Sequence, residues 1–105
     1  MEEFQKVASV GDVPPGTSAV VNVNNKTIAI FNVDGTFYAI YNTCPHEGGP
    51  LAEGHLKGYV VSCPWHDLAF DIRNGQGTDG GGYCVGSYEV RIEGESILVG
   101  GRRKV

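Results

Sequence analysis

The sequence predicts an all-β protein, built from short antiparallel strands in a sandwich or barrel. Sixteen of its 105 residues are glycine, which favours many tight turns over long helices. Short runs of alternating apolar residues recur along the chain between turn residues. Two of the breaks between runs, Asn24-Asn25 and Asp34-Gly35, consist of residues that tolerate positive φ, as a two-residue hairpin turn requires.

Residues 4–8 read as the first strand. Asp12-Val13-Pro14-Pro15-Gly16 follows, and a potential cap beside two prolines leaves room for at most one helical turn, so this is a connector. Residues 18–23, 27–33 and 36–41 form a meander across the two turns already named. Residues 59–62 and 69–72 read as two short strands, and residues 88–93 and 96–99 as a closing hairpin across Gly94-Glu95. With no internal repeat or low-complexity linker, the whole of 1–105 is expected to be one domain.

The 41% apolar and 19% charged fractions are those of a soluble globular protein. A net charge of −4 disfavours nucleic acid, whose binding depends on basic groups, and suits a partner with a basic docking patch. The one dense basic run, Arg102-Arg103-Lys104, reads as a solvated, frayed tail. The opening Met1-Glu2-Glu3 lacks the basic start and apolar stretch of a secretory signal, and no apolar run approaches the ~20 residues of a membrane span. A cytoplasmic protein without a membrane anchor is expected. Its three cysteines cannot all pair, which favours metal binding over a disulfide scaffold.

Cys44-Pro45-His46 follows the meander, and Cys63-Pro64-Trp65-His66 follows the strand at 59–62, with sixteen residues between the motifs. Each motif is thus expected on a loop at a strand end, where short spacing aims a thiolate and an imidazole at one centre. Together they offer four ligands: Cys44, His46, Cys63 and His66. Four such ligands also suit a tetrahedral zinc ion, which is the alternative reading. Against it, zinc fingers usually group cysteines and histidines separately, whereas each loop here supplies one of each.

These motifs resemble those of the Rieske family, in which Cys-x-His and Cys-x-x-His loops bind a [2Fe–2S] cluster. The likeness extends through His46-Glu47-Gly48-Gly49-Pro50-Leu51, the stretch to Gly58, and Phe70-Asp71 with Gly75. It implies a Rieske-type antiparallel β-sandwich or barrel base carrying a small two-loop cluster-binding subdomain over approximately 42–75. It further implies that Cys44 and Cys63 hold the inner iron, and His46 and His66 the outer one. Two neutral imidazoles in place of two thiolates remove negative charge from the first shell, so the centre accepts an electron more readily than an all-cysteine cluster.

Departures from the family pattern carry information of their own. Cytochrome bc-type members bridge an extra cysteine in each loop; Gly49 and Trp65 stand at those positions here, so the likeness is to the soluble ferredoxins of bacterial oxygenases. Leu68 replaces a hydroxyl residue that donates to a cluster sulfur, which predicts a potential toward the lower end of the roughly −150 to +300 mV range. Asp67 stands where glycine is usual; it reads as a solvated loop aspartate, with stabilisation of a protonated ligand imidazole as the sharper alternative. The glycine-rich 75–86 segment has no proline, and greater mobility is expected of it. Cys84 reads as a small buried core residue, His55 as a surface histidine, and Trp65 as packing that shields the cluster, with an exposed docking indole as its alternative.

The resemblance implies a single-electron carrier, itself no enzyme, working between a flavin-containing reductase and the terminal oxygenase of an aromatic-ring dioxygenase system. It would dock transiently and act as a monomer. The alternatives are the small Rieske subunit of a nitrite-reductase-like complex and a zinc-stabilised interaction module.

Overall fold

The computed structural model describes residues 4–44, 48–65, 68–78 and 83–102. Nine strands are assigned among them: β1 (Gln5–Ser9), β2 (Ser18–Val23), β3 (Lys26–Val33), β4 (Thr36–Tyr41), β5 (His55–Lys57), β6 (Val60–Ser62), β7 (Ala69–Asp71), β8 (Ser87–Glu93) and β9 (Ser96–Arg102). The helices among the described residues are two single 3₁₀ turns, Val10–Asp12 and Leu51–Glu53, and none is long or apolar enough to cross a membrane.

The expected meander is present. Asn24, Asn25 and Asp34 take positive φ, as does Gly35, so the two turns hold β2, β3 and β4 in unbroken antiparallel register from Ser18↔Phe31 to Val33↔Thr36. The first 3₁₀ turn ends ahead of the two prolines, and Asp12 closes it from within by accepting a 3.0 Å hydrogen bond from the Ser9 N–H through Oδ2.

Six strands form one antiparallel sheet in the order β1-β9-β8-β4-β3-β2; β5, β6 and β7 form a second. Strand β3 shows why the two sheets belong together. Ile28 and Ile30 face a core shared with Val13, Val23, Phe37, Ala39, Tyr88, Ile97 and Val99, while Ala29 and Phe31 face a second core with Leu51, Val61, Phe70, Ile72, Cys44 and Cys63. A central strand covered on both sides reads as a continuous apolar run, which Ile28-Ala29-Ile30-Phe31 is.

Side-chain contacts tie the parts between and beside the sheets. Ser18 of β2 donates from Oγ to the Ala52 carbonyl of the second 3₁₀ turn at 2.6 Å. Arg73 grips Asp71 at 2.8 and 3.0 Å and lies 4.4 Å over the Tyr59 ring, which meets Tyr38 of β4 edge-on.

Beyond shifts of one residue at several strand ends, the structure differs from the sequence expectation at two places. Strand β9 continues to Arg102, paired with Tyr88, so Arg102 belongs to a strand and not to a frayed tail; Arg103 and Lys104 lie outside the described residues. Gly100 disguised this extension, and its lack of a side chain serves packing: a Cβ there would stand 2.9 Å from the Phe4 ring. Strand β5 adds to the sequence expectation: His55-Leu56-Lys57 has no β-branched or aromatic residue, unlike Val60-Val61-Ser62 and Ala69-Phe70-Asp71, and its pairing is supplied by β6.

Candidate metal centre

The first motif leaves the large sheet directly after β4 and is tied down by Asn42. This buried residue donates its N–H to the Thr27 carbonyl at 3.0 Å, accepts from the Leu51 N–H at 2.7 Å through its carbonyl, and accepts from the Ala52 N–H at 2.9 Å through Oδ1. The stem of the loop is thereby fixed to both β3 and the second 3₁₀ turn. The second motif is the tip of the β6–β7 hairpin, whose last paired residues are Ser62↔Ala69.

The two loops are pinched in the same way. The Cys44 N–H donates to the Gly49 carbonyl at 2.9 Å, and the Cys63 N–H donates to the Leu68 carbonyl at 2.8 Å, five residues on in each case. Both cysteines therefore stand at a loop neck, directed into one apolar cluster, and are only 1% and 2% exposed. Among the described residues the cysteines form no disulfide. Cysteine sulfur is a preferred ligand of iron, and two such sulfurs stand here in one cluster at matched loop necks. The pair thus fits the sulfur half of a mixed thiolate–imidazole site.

The nitrogen half, His46 and His66, lies outside the described residues, as does Asp67. Among the described residues no group of three or more cysteine, histidine or acidic side chains converges. The centre of the 75–86 segment, 79–82, for which mobility is expected, likewise lies outside the described residues, and its flanking stem is described. Its stem is closely joined. Gly77 N–H donates to the Tyr83 carbonyl at 2.9 Å and Val85 N–H to the Gly75 carbonyl at 2.8 Å, and a Cβ on Gly75 would overlap the Val85 carbonyl oxygen.

Cys84 corrects the sequence reading, since it is exposed and not a core residue. The neighbouring Val85 takes the inward position, at 6% exposure, and alternation along an extended chain turns Cys84 outward. His55 is exposed, as expected. Trp65 is 62% exposed, and its ring lies against Gly49. Leu68 packs against the core, where it offers no hydroxyl. Asn42 was not singled out from sequence, although an asparagine between an apolar strand and a cysteine motif is a recognisable signal for a buried loop anchor.

Among the described residues, shifted ionisation is found at Asp71, Arg73 and Tyr88. The Arg73 hydrogen bond holds the Asp71 carboxyl below its ordinary range, and the same bond raises Arg73. Burial raises Tyr88.

The family model for the Rieske [2Fe-2S] domain matches residues 3–84. The chain is 40% identical over 99 residues to the biphenyl dioxygenase ferredoxin subunit of Pseudomonas sp. (strain KKS102), covering 91% of this chain and 90% of that protein. A chain in the solved complex of reduced oxygenase and oxidized ferredoxin in carbazole 1,9a-dioxygenase superposes with a TM-score of 0.87 at 34% identity, covering 97% of this chain and 96% of that one. The putative NADH-dependent nitrite reductase small subunit from Mycobacterium tuberculosis superposes with a TM-score of 0.86 over 100% and 99% of the two chains; at 23% identity this likeness is one of fold.

The cofactor is accordingly a Rieske-type [2Fe–2S] cluster, not zinc, and the chain is an electron-transfer component, not a catalyst in its own right. Two cysteine necks buried together beneath paired loops, on an all-β frame that the family model spans almost to Val85, make this chain a member of the Rieske [2Fe–2S] family.

Proposed function

We propose that Cys44 and Cys63 hold the inner iron of the cluster and His46 and His66 the outer iron. The protein would then take one electron from a flavin-containing reductase and deliver it to a terminal oxygenase of the aromatic-ring dioxygenase type. The observation that carries this reading is the joint burial of the two motif cysteines at equivalent loop necks. The cluster supplies one-electron redox chemistry when bound. The chain's own residues do the rest: the necks aim the sulfurs inward, and Leu51, Val61 and Phe70 keep water from that side.

In this reading the whole of 1–105 is one domain, with approximately 42–75 as its cluster-binding part. The protein works as a cytoplasmic monomer through a weak, transient interface. A dioxygenase ferredoxin relative at 40% identity favours this over the nitrite-reductase-like alternative, for which the structural likeness at 23% identity is one of fold. The loss of a hydroxyl donor at Leu68 points to a potential near the lower end of the roughly −150 to +300 mV range, and a protein-film voltammogram near the upper end would contradict that assignment.

Anaerobic stopped-flow mixing with the oxygenase of a biphenyl dioxygenase system tests the partner. The reduced protein should reoxidise in a single kinetic phase that saturates with oxygenase concentration. Failure to reoxidise, with stable co-purification on a nitrite-reducing large subunit instead, would overturn it in favour of a fixed subunit.

A further inference from the structure

Gly49 lies at the point where the two loops touch. It is buried, and a Cβ built on it would stand 2.6 Å from Cys63 Sγ and 3.2 Å from both Cγ and Cδ2 of Trp65. The first distance is shorter than real Cβ contacts allow. The obstacle is a sulfur at the neck of the opposite loop, whose backbone is fixed by the Cys63 N–H bond to Leu68. Its neighbour Gly48 differs in kind: φ is +78°, which itself favours glycine, while the nearest atom to a Cβ would be Thr43 Cγ2 at 3.8 Å. One glycine is required by backbone conformation, the other by what occupies its side-chain space.

We propose that Gly49 is a positioning residue for the cluster, and that its vacant side-chain volume seats both the Cys63 sulfur and the base of the Trp65 indole. The first loop thereby sets where the second loop's sulfur stands, and Trp65 caps that sulfur against water. Trp65 achieves this despite being 62% exposed, because the ring edge nearest its own backbone is the part resting on Gly49. A covalent link between the loops is unnecessary when one ring packs on one glycine. This inference rests on the reading that Cys63 is a cluster ligand.

Three variants of the full-length holoprotein test it. Gly49→Ala should change the electron paramagnetic resonance line shape of the reduced cluster and shift its midpoint potential, or prevent cluster retention. Gly48→Ala should lower thermal stability and leave line shape and potential at the wild-type values. Trp65→Ala removes a mostly exposed side chain, so it should fold and load normally, but its visible absorbance should bleach several-fold faster in air or chelator than that of the wild type. A Gly49→Ala protein with wild-type line shape and potential, or a Trp65→Ala protein bleaching at the wild-type rate, would overturn the proposal. If Gly49→Ala does not fold, the Trp65→Ala rate alone decides. Absence of a Rieske signal from the wild type would instead defeat the underlying ligand reading, which keeps the two failures distinct.

Discussion

The two sheets of this protein are held together by different means. In the large sheet, strands of five to eight residues bury alternating side chains, and β3 alone places four consecutive residues at 1% exposure or less. In the small sheet each strand has three residues, and close backbone approach does much of the joining. A Cβ on Gly54 would overlap the Ser62 carbonyl oxygen, and one on Gly75 would overlap that of Val85. Three strands this short are marginal alone. The large sheet is therefore a frame that stands on apolar burial, and the small sheet is a lobe that depends on the frame and on its glycines.

The largest effects should come from the cores. Ile30→Ala, in the core away from the cysteines, should cost about 2–5 kcal/mol of global stability whether or not the cluster is present. Phe70→Ala removes a fully buried ring from the core that contains Cys44 and Cys63, and should release the cluster at denaturant concentrations where the large sheet is still folded. Following visible absorbance and far-ultraviolet circular dichroism in one titration separates these outcomes. Coincident transitions in both variants would show that frame and lobe are a single unit.

An intermediate effect is expected at the glycines. Gly54→Ala should destabilise by about 1–3 kcal/mol, because the obstructing atom is backbone and cannot swing aside. Gly11→Ala meets nothing within 4 Å and should change stability by no more than about 0.5 kcal/mol. Equal costs by chemical denaturation would remove close approach as the explanation of the lobe.

The smallest effect should be electrostatic. The folded-state pKa of Asp71 is depressed by the Arg73 hydrogen bond, so the stabilisation it contributes is present above the unfolded carboxylate range and is lost as pH falls through the folded value. Arg73 is half exposed, and salt should weaken the contribution further. Asp71→Asn should lack this acid-limb component in urea titrations across pH. An unchanged acid limb would mean that the grip on Arg73 does not help join lobe to frame.

The sequence made the frame more legible than the lobe, and the reason is physical. Asn24-Asn25 and Asp34-Gly35 announce their turns because few other residues accept positive φ. Strand alternation announces the faces packed around β3. In the lobe, by contrast, β5 lacks the β-branched or aromatic residues that mark β6 and β7, and the contacts that matter at Gly49, Gly54 and Gly75 are made by missing atoms, which look alike in sequence whatever they touch. Cys84 illustrates a related limit: composition suggests a buried small residue, whereas its side of the chain follows from which neighbour, here Val85, points inward. The two motifs that carry the proposed ligands stand out in sequence because Cys-x-His and Cys-x-x-His spacing is a chemical requirement more than a packing one.

Pulsed electron paramagnetic resonance on the dithionite-reduced protein tests the ligand assignment most directly, by counting histidine nitrogens coupled to the reduced irons. The assignment predicts two coupled nitrogens, with the wild-type pattern lost on substituting His46 or His66 and retained on substituting His55. A paramagnetic cluster without nitrogen coupling, or a pattern that depends on His55, would contradict it.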